Sequence, residues 1–208
     1  MLSRRFKTMQ STSQKVWHFI WHDEGVWSLL VNIVLSIILI KFIIFPILGF
    51  ILGTSHPVVA VVSSSMEHDG SFNVWWNSTA FCGAQICTQE QWYAQYNITE
   101  DAFNEFDYKN GFNKGDIMIL TSPKNAEVGD TIIFISNDGR PIIHRMISQN
   151  PSQTKGDHNQ AQIVNAEINE KNVLKERIIG KASLRIPYLG YIKILFVNFV
   201  SLFGVQLS

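Results

Sequence analysis

Cysteine is scarce in this chain, and so is any surplus of charge. Two cysteines among 208 residues are too few for a disulfide scaffold, and no second pair exists to complete a four-ligand zinc site. The 17 Lys and Arg residues balance 17 Asp and Glu. That leaves no basic excess of the kind a nucleic-acid partner requires. No segment is low in complexity, and aromatics reach 12%, so a packed domain is expected rather than a disordered chain. Familiar catalytic signatures are missing too: there is no Gly-X-Ser-X-Gly elbow, no His-Glu-X-X-His pair, no P-loop and no Gly-X-Gly-X-X-Gly turn. Neither a metal nor an organic cofactor is expected.

One apolar run stands out. From Val26 to Leu52 the only charged residue is Lys41. The run exceeds the ~20 residues that a helix needs to cross a bilayer, and it is too long for the apolar part of a cleaved signal peptide. A transmembrane helix is predicted over 26–52, with Lys41 snorkelling or meeting a partner and Pro46 kinking or thinning the helix. Arg4, Arg5, Lys7 and Lys15 precede the run, and no Lys or Arg follows Leu52 until Lys109. The positive-inside rule then keeps residues 1–25 cytoplasmic and sends the remainder to the extracytoplasmic or lumenal side. Asn77-Ser-Thr, Asn97-Ile-Thr and the pair Cys82 and Cys87 all fall on that exported side. The lipid bilayer is the first partner implied.

After Pro57 the chain turns to short β-branched runs, among them Val58–Val62, Ile117–Leu120 and Thr131–Ile135, separated by Lys114-Gly-Asp, Val128-Gly-Asp and Asn137-Asp-Gly. Asn and Gly tolerate positive φ, so the last of these predicts a hairpin. A mostly β domain over 53–66 and 115–185 follows, as a folded-over barrel or sandwich. Residues 67–114 differ, because Trp75, Trp76, Trp92, Tyr93, Tyr96, Phe103 and Phe106 alternate there with polar positions. They are expected to form an inserted subdomain or flap with a small core of its own. The tail 186–208 is apolar but broken by Lys193 and Asn198; it is expected to contact the membrane, as a second span or along the interface.

Little in the exported part could carry chemistry. Ser63-Ser-Ser-Met66 ends an apolar strand, His144 lies in Ile142-Ile-His-Arg145, and Asp157 lies in Thr154-Lys-Gly-Asp-His-Asn159. A serine hydroxyl is a weak nucleophile until a base takes its proton; neutral histidine suits that task near pH 7, and a carboxylate can fix its tautomer. Taken alone, these residues fit a structural role as well.

The order of the segments adds what the single residues lack. Val-Val-Ser-Ser-Ser-Met, Lys-Gly-Asp-Ile-Met-Ile-Leu, Val-Gly-Asp-Thr-Ile-Ile-Phe, Pro-Ile-Ile-His-Arg, Thr-Lys-Gly-Asp-His-Asn, Ile-Ile-Gly-Lys-Ala and Ile-Pro-Tyr-Leu-Gly resemble, block for block, the type I signal peptidases. The resemblance runs from about Val58 to Tyr191, and His144 in place of a lysine base makes it similar to the archaeal and endoplasmic-reticulum branch. It implies a mostly β catalytic fold and a membrane-bound serine endopeptidase that removes signal peptides from preproteins after small residues. It also implies Ser65 as nucleophile, His144 as general base, Asp157 as the motif aspartate and Met66 beside the substrate. Accessory subunits are left open.

The chain departs from the family pattern in three places. His68 replaces the usual Pro, the loop before Lys114 is long, and Ile163 stands where that branch has its catalytic aspartate. Either Asp157 orients His144, or Glu167 has taken over, or the site runs as a serine–histidine dyad, in that order. Cys82 and Cys87 are expected to close a small disulfide loop within the insert. Two other functions compete: a catalytically silent relative that binds extended peptides by strand addition, and an exported adhesion or receptor domain.

Overall fold

The computed structural model describes residues 11–191 and Leu195. The first ten residues and most of the apolar tail expected at 186–208 therefore lie outside the described residues. The chain divides into two compact units, one ending at Leu48 and the other beginning at Gly49.

In the first unit, Ser11 starts α1 (Thr12–His22) through a capping box with Gln14, which satisfies two backbone groups that a helix start would leave unpaired. After Gly25 the apolar run forms one helix of 27 residues, Val26–Leu52. It is built of α2 (Val26–Leu39), a wider π-helical stretch (Ile40–Ile44) and α3 (Phe45–Leu52). Pro46 explains the wide stretch. Its ring collides with the carbonyl four residues back in a regular helix, and a turn closed by the Phe45 N–H on the Ile40 carbonyl gives the extra room without breaking the helix. Apolar side chains are exposed along this helix, a surface that lipid accommodates and water does not.

The second unit is mostly sheet, in keeping with a signal-peptidase-like β fold. β1 (Val58–Ala60) is followed by the aromatic segment, which holds α4 (Phe72–Trp76), the hairpin β2 (Thr79–Cys82) and β3 (Gln85–Thr88), and the short helices α5 (Gln89–Ala94) and α6 (Glu100–Asn104). Then come β4 (Ile117–Thr121), β5 (Thr131–Ile135), β6 (Pro141–Gln149), β7 (Ser152–Lys155) and β8 (Ile178–Ile186). Six strands make one antiparallel sheet in the order β1-β4-β8-β5-β6-β7. The core lies where Val61, Met66, Phe112, Met118, Leu120 and Ile133 meet, and all six are buried. The expected hairpin at Asn137-Asp138-Gly139 joins β5 to β6, with Gly139 at φ +85°.

Two Gly-Asp pairs do the same local job. Gly115 and Gly129 both take positive φ, and each leaves room for an aromatic ring: a Cβ on Gly115 would stand 2.2 Å from Tyr191, and one on Gly129 would stand 2.2 Å from Phe106. Each following aspartate accepts a backbone N–H within its own turn, Asn113 on Asp116 and Glu127 on Asp130, both at 2.8 Å. Each also pairs with a cation of β8, Asp116 with Arg185 and Asp130 with Lys181. The turns are thus pinned to the same strand.

The aromatic segment packs Trp75, Trp76, Trp92, Tyr93 and Phe103 together, but Ile147 of β6 completes that cluster. Its core is shared with the sheet, where the sequence predicts one of its own. Cys82 and Cys87 are disulfide-bonded across the β2–β3 hairpin.

Candidate active site

The site forms where the turn after β1 meets β6 and the loop after β7. Ser65 is half-buried in a tight turn closed by the Glu67 N–H on the Ser64 carbonyl, 3.0 Å. Ser63 and Ser64 are exposed. Met66, expected to touch substrate, has no exposed surface. It belongs to the core, and its Sδ accepts the Asp157 N–H at 3.4 Å. The turn rotates Ser65 outward and its neighbour inward, so Met66 anchors the turn. The loop holds the turn again through His158, whose N–H donates to the Ser65 carbonyl at 2.9 Å.

His144 lies on β6 opposite Ile132 and is 3% exposed. Gly156 brings it to the serine turn. A Cβ placed on Gly156 would stand 2.8 Å from His144 Nε2, 2.8 Å from the Ser65 carbonyl and 2.6 Å from Asn159 Nδ2. The imidazole, the serine backbone and the Asn159 amide therefore converge on one gap that only glycine leaves open. The Ser65 hydroxyl is hydrogen-bonded to Ser63 Oγ at 3.1 Å and not to His144. Among the described residues Asn159 Nδ2 is buried without a hydrogen-bond partner; a donor left unpaired at a candidate site is available to a substrate carbonyl.

The carboxylate on His144 is Glu170. Its Oε1 stands 2.5 Å from Nδ1 and also accepts the Thr154 hydroxyl at 3.1 Å, while Oε2 accepts the Ile163 N–H at 2.6 Å. The Glu170 backbone is held as firmly, its N–H on the Ile163 carbonyl at 3.0 Å and its own carbonyl accepting from Thr154 N–H at 2.9 Å. Both side chains are sealed from solvent. Sequence reasoning did not single Glu170 out, because nothing in the loop spacing marks it.

Asp157, the first expectation for that position, is engaged elsewhere. It receives Arg145 through Nε and Nη2, the Tyr93 hydroxyl at 3.0 Å, and His68 Nε2 at 3.2 Å. Strand alternation explains the division. Successive side chains of β6 point to opposite faces, so His144 meets Glu170, which Thr154 also holds, whereas Arg145, paired across the strands with Lys155, meets Asp157 and the aromatic segment. Glu167, the reserve, is exposed and bonded to Arg140 at 2.6 Å. His68 lies face to face with Trp75, ring centroids 3.7 Å apart. Its place after Met66-Glu67 joins Asp157 to the aromatic segment, where the usual proline offers no hydrogen-bonding group.

Charge in this region is set by burial and pairing. Burial alone pushes Asp157 up, but Arg145 beside it and the hydrogen bond from His68 hold it well below the usual carboxylate range. Burial lowers Lys155 to about 7 against the attraction of Asp157 and Glu170. Its Nζ donates to Gln89 Oε1 at 2.8 Å and to the Gly156 carbonyl at 3.1 Å, so the aromatic segment reaches the backbone of the Gly156 gap. Burial also keeps the Tyr93 hydroxyl protonated far above its ordinary range.

Comparison with known proteins bears on this arrangement. The signal peptidase complex catalytic subunit SEC11 of Candida tropicalis is 30% identical over 94 residues, which is 40% of this chain and 57% of that protein. The SEC11 subunits of Clavispora lusitaniae and Colletotrichum graminicola are 29% identical over 94 residues and 30% identical over 95. Its relatives are signal peptidase catalytic subunits. The resemblance carried by the motif series thus has matching relatives, and the chain spans little more than half the length of each. No protein-family profile and no solved structure matches the chain.

Proposed function

We propose that this chain is a membrane-anchored serine endopeptidase that removes signal peptides from exported preproteins, with Ser65, His144 and Glu170 as its reacting group, base and orienting carboxylate. One observation supports it most: a buried histidine with Nδ1 on a sealed carboxylate at 2.5 Å and Nε2 facing the gap it shares with Ser65. A carboxylate on Nδ1 keeps that nitrogen protonated and leaves Nε2 as the acceptor.

In the proposed reaction, Ser65 Oγ attacks the scissile carbonyl carbon as its proton passes to His144 Nε2. The imidazolium formed is stabilised by Glu170. The carbonyl oxygen becomes an oxyanion, and Ser63 Oγ, 3.1 Å from the nucleophile, is placed to donate to it. Collapse breaks the C–N bond, and His144 returns its proton to the departing amine. Water, deprotonated by the same nitrogen, then hydrolyses the acyl-enzyme. Cleavage after small residues, the lumenal setting and any accessory subunits accompany this reading. An anchored site suits a substrate whose own apolar segment lies in the bilayer.

The test uses detergent-solubilised full chain, a preprotein and N-terminal sequencing of the product. Wild type is expected to generate a new N-terminus after a small residue. Ser65→Ala should reduce the rate by at least about 10³-fold, while Ser64→Ala retains most of it. Undiminished cleavage by Ser65→Ala would overturn the assignment, and no cleavage by wild type would favour a silent peptide-binding relative.

A further inference from the structure

The apolar arc of helix α1 borders directly on a polar one. At about 100° per residue, Val16, Trp17, Phe19, Ile20 and Trp21 fall on one arc and Gln14, His18 and His22 on the other. Phe19 and Ile20 are half-buried, whereas Trp17 and Trp21 remain 62% and 66% exposed. Their rings stand 5.5 Å apart and make a single apolar plate that the described residues of this unit leave uncovered.

The position of α1 along the apolar helix is fixed by two hydrogen bonds. Ser28 Oγ donates to the Phe19 carbonyl at 2.6 Å, and Asn32 Nδ2 donates to the Ile20 carbonyl at 2.8 Å. Both are end-of-helix carbonyls that lack an internal partner. Asn32 is nearly two turns beyond Val26, about 9 Å along the axis. The C-terminal end of α1 is therefore tied to the first two turns of the span and does not project away from it.

Length shows what surrounds those turns. A helix of 27 residues is about 40 Å long, against a hydrocarbon core of about 30 Å, so about 10 Å of it lies in the interfacial layers. Trp17, Trp21 and Trp27 mark the N-terminal end as the interfacial one, since Phe45–Leu52 holds no Trp or Tyr and tryptophan collects at the membrane–water boundary. Arg4, Arg5, Lys7 and Lys15 outnumber Asp23 and Glu24 at this end, a surplus that complements acidic headgroups.

We infer that α1 is an interfacial helix seated on anionic phospholipid, with Trp17 and Trp21 in the boundary between headgroups and acyl chains and His18 and His22 turned to the headgroups. Such a seat buries an apolar face by about 5–10 Å, matching the depth at which Ser28 and Asn32 hold the helix. It fixes how deep the span sits and how it is rotated. The inference rests on reading Val26–Leu52 as a span.

Because the two native cysteines are bonded to each other, single thiols can be labelled alone. Full-length Trp21→Cys, His18→Cys and Ile37→Cys proteins would carry an environment-sensitive dye in phosphatidylcholine vesicles, with and without phosphatidylserine, and be quenched with aqueous iodide. The label at 37 is expected to be protected throughout. The label at 21 should be quenched several-fold less than the label at 18, with the gap widening with phosphatidylserine and narrowing in high salt. Equal quenching at 18 and 21 with 37 protected overturns the interfacial seat and leaves the span intact. Quenching at 37 overturns the span itself. Protection at 21 that ignores phosphatidylserine refutes the anionic preference, and protection that follows protein density assigns the plate to a second copy.

Discussion

Asp157 and Glu170 are both without exposed surface, and each reaches a different member of the dipeptide His144-Arg145. Asp157 binds a permanent cation and spends its remaining capacity on Tyr93 and His68. Glu170 binds a group that can gain and lose a proton, and its other oxygen faces a backbone N–H. The first arrangement stores stability; the second is suited to a charge that comes and goes at His144. The two faces of one β-strand separate these duties. A sealed carboxylate is therefore not by itself a sign of chemistry, and its partner decides what it can do.

The sharpest way to break the comparison is to neutralise each carboxylate in turn. Glu170→Gln should keep the fold and remove the charge opposite the imidazolium. Preprotein cleavage is expected to fall by about 10³- to 10⁴-fold, the cost of an uncharged partner in the serine–histidine–aspartate triad. Glu167→Gln in parallel should cleave at the wild-type rate, because its carboxylate lies on the surface with Arg140. Equal activity of Glu170→Gln and wild type would make the site a dyad.

Asp157→Asn should fail differently. It leaves Arg145 buried with its strongest partner gone, and loss of one member of a buried ion pair costs about 3–5 kcal/mol. Denaturant unfolding in detergent is expected to show that loss, with cleavage at permissive temperature falling far less than in Glu170→Gln. The pairing also gives a pH sense. Asp157 is held below its unfolded range, so its stabilisation is complete above about pH 4 and is lost as pH falls below that. A stable Asp157→Asn protein with no activity would reverse the two roles.

Much of this arrangement was legible from the residues, and the missing parts have physical causes. The Val26–Leu52 run, the Asn-Asp-Gly hairpin and the bridge between Cys82 and Cys87 each rest on local chemistry: apolar length, tolerance of positive φ, and closeness in sequence. Ser65 and His144 fall beside one gap because their motifs end one strand and occupy another. Glu170 was invisible because its approach to His144 depends on Thr154 and Ile163 holding the loop from two sides. Asp157 misled because a Gly-Asp motif gives its position and not its partner. The alternation His144-Arg145 on one strand was the available signal that two neighbouring groups need two different carboxylates. Lys41 lies in the wide helical stretch that just precedes Pro46, a detail that hydrophobicity alone could not supply.

The smallest expected effect belongs to Lys155, which shares the Arg145 face and sharpens the contrast with Glu170. Burial lowers it to about 7, whereas in the unfolded chain a lysine titrates near ~10.4. Between those values the unfolded state binds more protons than the folded one, so the stability contributed by this position rises with pH. The sign is opposite to that of a lysine gaining a salt bridge. Between pH 7 and 9 the rise should reach about 2 kcal/mol, from ~1.4 kcal/mol per pH unit for each proton. Lys155→Met keeps a long apolar stem between Trp92 and Tyr93 and removes the titrating group. Unfolding free energies of wild type and Lys155→Met, measured in detergent at several pH values across this window, should therefore converge as pH rises. Their difference isolates Lys155 from every other group that titrates. Parallel curves would show that the amine stays protonated in the fold, held charged by Asp157 and Glu170 together, and the Arg145 face would then carry two permanent cations against one carboxylate.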